Sequence, residues 1–142
     1  MVLPQKKIMS YKGVRFVAYS AGWLSISLNR TQRAIRMWED RGFLPLPIFY
    51  TKPGETRWYC AAEILSYKSA YHQAGMKNGL DIASTGFPLL CQQHKAHLKQ
   101  QLVLSNLDFL CMRLPEKELD EAYLKKNRRV IKRYRTKREL VL

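Results

Sequence analysis

The sequence predicts a mostly α-helical fold: a winged helix-turn-helix with a small β-hairpin wing, followed by a dimerisation helix and a basic C-terminal helix. Three observations predict it. Two short helical segments are separated only by Leu28-Asn29-Arg30, the second segment is studded with arginine, and a β-prone stretch punctuated by Pro and Gly follows directly. The chain has 142 residues, 46% of them apolar, which suits one compact domain with an appendage. The expected organisation is an N-terminal arm or strand over 1–18, the winged domain over 19–78, a helical dimerisation region over 79–114 and a basic helix or tail over 115–142.

Alternation of Val14, Phe16 and Val17 around Arg15 suggests a short strand leading into the fold. A helix follows from about Ser20, with Trp23, Leu24 and Leu28 for the core, and Asn29 ends it because asparagine tolerates the left-handed conformation. Thr31 is a good N-cap for a second helix over 32–41, which carries Ile35 and Trp38 inward and stops at Gly42. Prolines 45 and 47 exclude a helix, and Ile48-Phe49-Tyr50 and Thr56-Arg57-Trp58-Tyr59 around Lys52-Pro53-Gly54 read as a hairpin. A third helix spans about 61–73, with Ile64, Leu65 and Tyr71 as core candidates, and Gly75 closes it. After a connection over 79–86, Thr85 or Phe87 caps a helix that accepts Pro88 in its first turn and runs to about Leu107. Its apolar seam is Cys91, Leu98 and Leu102, interrupted by Lys95. The final segment opens at Pro115, acidic at its start and basic at its end, which matches the helix dipole.

Charge narrows the partner. Twenty-five Lys and Arg against 11 Asp and Glu give a formal net charge of +14. Such a field attracts polyanions, and nucleic acid gains most, because cations on its phosphates release condensed counterions. No stretch approaches the roughly 20 apolar residues that cross a bilayer. The N-terminus has no signal-peptide pattern, so a cytoplasmic, nucleoid-associated protein is expected. Cys60, Cys91 and Cys111 are odd in number and widely spaced, which favours free thiols over a disulfide framework or a zinc ribbon.

The run Ala34-Ile35-Arg36-Met37-Trp38-Glu39-Asp40-Arg41-Gly42-Phe43-Leu44-Pro45, followed by Thr56-Arg57-Trp58-Tyr59, resembles the DNA-binding domain of the MerR family. The resemblance covers about Tyr19 to Gly75. The wider superfamily includes phage excisionases and some small terminase subunits. Here Asn29-Arg30-Thr31 stands where the family has Gly-Val-Ser, Met37 replaces the first of two aromatics, and Glu55 replaces a wing glycine.

The residues themselves point the same way. A helix fits the major groove with its N-terminal residues nearest the base edges, so Gln32 and Arg33 are candidates for direct readout. Arg36, with Lys52 and Arg57 of the wing, is assigned to phosphates; Arg30 flanks them, and Thr31 and Tyr59 could add hydroxyl contacts. The alternative for this set is a solvated basic face, whereas Trp38 and Trp58 are expected in the core. The tail, Lys125, Lys126, Arg128, Arg129, Lys132, Arg133 and Arg135 among its cations, holds nine positive charges and one negative between Lys125 and Leu142. It is assigned to nonspecific DNA contact or to an acidic protein partner. Cys91, His94 and His97 recur every third residue but drift around a helix, so no metal is expected; neither is a cofactor, a membrane partner or an enzymatic activity. The expected function is sequence-specific binding of double-stranded DNA by a homodimer acting as a small transcriptional regulator. The alternatives are a phage or plasmid architectural or assembly factor and a basic protein-interaction adaptor.

Overall fold

The structure, a computed structural model, describes residues 4–50, 56–76 and 80–115. Lys52 and the whole basic tail, for which contacts were expected, and the Pro53-Gly54 turn lie outside these residues. Strands β1 (Lys6–Tyr11) and β2 (Val14–Ser20) open the fold, and helices α1 (Ala21–Leu28) and α2 (Gln32–Asp40) follow. Strand β3 (Trp58–Cys60) leads into α3 (Ala61–Gln73), and a 3-10 turn at Ile82–Ser84 leads into α4 (Phe87–Val103). A last 3-10 turn covers Asp108–Cys111. Among the described residues, four helices with a three-stranded antiparallel sheet of order β1-β2-β3 make a mixed helical and β architecture. No helix among the described residues is long and apolar enough to cross a membrane.

Local chemistry sets the boundaries of the central helices. Asn29 adopts the left-handed conformation, φ 53° and ψ 46°, and the N–H of Arg30 reaches back to the Ser25 carbonyl at 2.9 Å. The Thr31 hydroxyl accepts the Ala34 N–H at 3.1 Å, which satisfies a donor that the first turn of α2 would otherwise leave unpaired. Gly42 turns the chain away with φ +78°. Trp23, Leu24, Leu28, Ile35 and Trp38 all pack inward, as their spacing predicts.

Two expectations about β structure need correction. The first strand is one arm of a hairpin: β1 pairs with β2 from Lys6↔Tyr19 to Tyr11↔Val14 around a two-residue turn, Lys12 and Gly13. Lys6, Lys7, Ile8 and Ser10 are exposed, so β1 lacks the apolar alternation that would announce a strand. Conversely, the two runs flanking Pro53-Gly54 do not pair with each other among the described residues. Ile48 and Phe49 lie in a turn closed by the Tyr50 N–H on the Pro47 carbonyl, and the Ile48 N–H goes to the Glu63 carboxylate at 3.1 Å. Phe49 stacks against Tyr11 and Phe16 at 5.3 and 5.2 Å between ring centroids. The second run, as β3, pairs with β2 through Ala18↔Cys60 and Ser20↔Trp58.

The core includes residues from both the 19–78 and the 79–114 regions. One buried cluster runs from Val17 through Tyr59, Ile64 and Tyr67 to Phe87, Cys91 and Leu114. Leu98 and Leu102 are buried too, so the apolar seam of α4, on which the expectation of a dimer rested, is covered by the chain itself. The helix ends at Val103, where Ser105 turns to positive φ, four residues earlier than expected. Leu114 is fastened by its N–H, which donates to the Tyr19 hydroxyl at 3.2 Å.

Candidate nucleic-acid interface

Helix α2 is amphipathic in a particular sense. Ile35, Trp38 and Glu39 face inward, whereas Arg33, Arg36, Met37 and Asp40 are exposed at the spacing of one helix face. The first turn of α2 carries no acidic residue, so Arg33 adds its charge to the positive end of the helix dipole. That arrangement costs about 0.3–1 kcal/mol of stability and concentrates a positive potential at the end that a helix offers to an anion. The potential is not cancelled by the chain before it, because residues 1–38 contain seven Lys or Arg and no Asp or Glu.

The carboxylates at the other end of α2 are held down. Arg57, just ahead of β3, sends one guanidinium nitrogen to Glu39 at 2.9 Å and the other to Asp40 at 3.2 Å. The Glu39 side chain is only 1% exposed, and burial raises its pKa although Tyr59 and Arg57 act to lower it. Burial opposes the charge of Arg57 as well, but Glu39 and Asp40 outweigh it and hold the guanidinium more firmly protonated than usual. Arg57 also lies 5.9 Å from the Tyr50 ring.

The expected site residues therefore divide. Thr31, Arg33 and Arg36 are exposed on or beside the start of α2 and come together as one surface. Gln32 is half-buried and leans back on α1: a Cβ placed on Gly22 would lie 3.3 Å from its Nε2 and 3.1 Å from the Cα of Pro4. Arg30 is half-buried, its guanidinium 5.6 Å from the Tyr71 ring of α3, so its stem fills an apolar place in the turn.

The assignments of Arg57 and Tyr59 need correction. Arg57 is committed to two carboxylates of the same molecule, and Tyr59 is fully buried. The Tyr59 hydroxyl lies beside the Glu39 carboxylate, outside good hydrogen-bond geometry, where burial and then the Glu39 charge push its pKa well up. Met37, 42% exposed on the outer face of α2, and Arg41, exposed just beyond it, were not among the expected contacts. The signal for Met37 was its position, one turn beyond Arg33.

Glu63, fully buried, accepts the N–H groups of Cys60 and Ile48 at 3.1 Å each, tying the chain at Ile48 to the start of α3. Burial pushes its pKa up to about 7, with Lys95 of α4 acting in the opposite sense. Burial raises the Cys91 thiol to about 12, and no group of three metal-ligating side chains is assembled among the described residues. Trp38 is buried with its ring against Phe87 at 5.8 Å, and Trp58 is half-buried under Lys7 at 4.7 Å. No family model, curated protein or solved structure matches the chain.

Proposed function

We propose that this chain binds double-stranded DNA in a sequence-dependent way, as a small regulator of transcription, with α2 as the element that enters the major groove. The observation that carries this reading is the outer face of α2. Arg33 stands exposed at the capped end of the helix, Arg36 and Met37 follow it along the same face, and the two carboxylates of α2 are tied back by Arg57. Arginine can address guanine O6 and N7 with two hydrogen bonds, and an exposed thioether can cover a thymine methyl. Arg36, a turn further along, suits a phosphate and fixes register. The tight turn at Asn29 and the packing of α2 against α1 hold the helix, so its arginines are presented from a packed element. The resemblance to the MerR family agrees with this reading. The tail cations from Lys125 onward are proposed to add nonspecific phosphate contacts.

Selection of bound sequences from a random duplex pool tests the reading. A recovered consensus that Arg33→Ala blurs at one or two positions supports it; recovery of random sequence at every salt concentration overturns it.

A further inference from the structure

We infer that the β1–β2 hairpin is a second contact for duplex DNA, a cationic finger that grips phosphates beside the segment read by α2; this rests on the DNA-binding reading above. The hairpin is rooted next to the start of α2, because Pro4 and the Gln32 amide both close on Gly22, and the Gln5 carbonyl accepts the Ser20 N–H at 2.9 Å. From that root β1 runs six residues, on the order of 20 Å, to the tip. A strip of that length matches several phosphate steps of a duplex better than it matches a small anion.

The tip carries its charge against local preference. Lys12 has φ +49° and Gly13 φ +81°, the pair of positive values that a tight hairpin turn favours as Asn-Gly. A lysine there is strained, and its ammonium lies 5.6 Å from the Tyr11 ring. Three residues on from Lys12, Arg15 is exposed opposite Ser10. It shares a groove of about 280 Å³ with exposed Arg113 from the far end of the described chain, and Ile8 and Met112 supply its apolar lining. Among the described residues the lining of this groove holds no carboxylate, so the two like charges repel each other until an anion lies between them. Cys111 is exposed at the same groove, whereas Cys60 and Cys91 are buried, so a thiol probe can be directed there.

The test compares the full chain with the triple variant Lys12→Asn, Arg15→Gln, Arg113→Gln on a random-sequence 30-base-pair duplex across a salt series. The expected result is a salt slope shallower by about 2–3, because each lost phosphate contact removes roughly 0.9 from it. Lys12→Asn alone should weaken binding while raising the thermal midpoint by roughly 2–4 °C, since asparagine suits the turn. A photocrosslinker on Cys111 should join to the duplex. Duplex binding with an unchanged slope in the triple variant overturns the inference and leaves the reading of α2 standing. Failure of the unmodified chain to bind duplex overturns both.

Discussion

Arg57 and Glu39 form an ion pair 2.9 Å long that pins the C-terminal end of α2 to the start of β3, with the Glu39 carboxylate 1% exposed and Asp40 on the second guanidinium nitrogen at 3.2 Å. An arginine expected on a wing thus acts on α2 instead. It offsets carboxylates that would repel a phosphate backbone. Arg57→Ala should destabilise the fold by about 2–4 kcal/mol in urea titrations, because Glu39 stays buried without its cation. Duplex affinity should fall as well. Adding Glu39→Gln and Asp40→Asn to Arg57→Ala should restore affinity, since the carboxylates are then gone; affinity that stays low would return Arg57 to the phosphates.

Tyr59 lies wholly inside the protein with its hydroxyl poorly partnered. Tyr59→Phe removes a buried polar atom at no cost in volume, so stability should hold or rise by up to about 1 kcal/mol. Duplex affinity should not change. Equilibrium unfolding and binding titrations on the same preparation check both parts.

Glu63 makes stability depend on pH. Its folded pKa is raised from 4.5 to about 7, first by burial, so between these values the folded chain holds a proton that the unfolded chain has released. Stability therefore declines as pH rises through that window, by on the order of 2–3 kcal/mol, and levels off above it. Glu39, raised by burial too, acts in the same direction. Thermal melts between pH 4.5 and 7.5 should show the decline, and Glu63→Gln should flatten most of it.

Deleting the chain after Tyr123 removes nine Lys or Arg and one Glu. If the tail lies along phosphates, the salt dependence of duplex affinity becomes shallower while the preference among sequences is kept. An unchanged slope would assign the tail to another partner.

Features set by neighbours in sequence were legible in it. Asn29 in the left-handed region, the Thr31 cap, Gly42 and the span of α3 each follow from residues a few positions apart. Features set by distant pairing were not. The Thr56–Tyr59 run is β-prone, but its partner is β2, some forty residues earlier, rather than the run beside it. Strand β1 has a mostly exposed edge, so burial imposes no alternation on it. The same divide runs through the candidate site: Arg33 and Arg36 could be read from helical spacing alone. Arg57 could not, because its carboxylates come from the end of another element.

Arg33 is proposed to read a base, and competition binding with the selected duplex and a random duplex measures this directly. Arg33→Ala should cost about 1–3 kcal/mol on the selected duplex, roughly 5- to 150-fold, with a much smaller loss on the random one. Equal losses on both duplexes would contradict the claim and reduce α2 to a cationic surface without a readout.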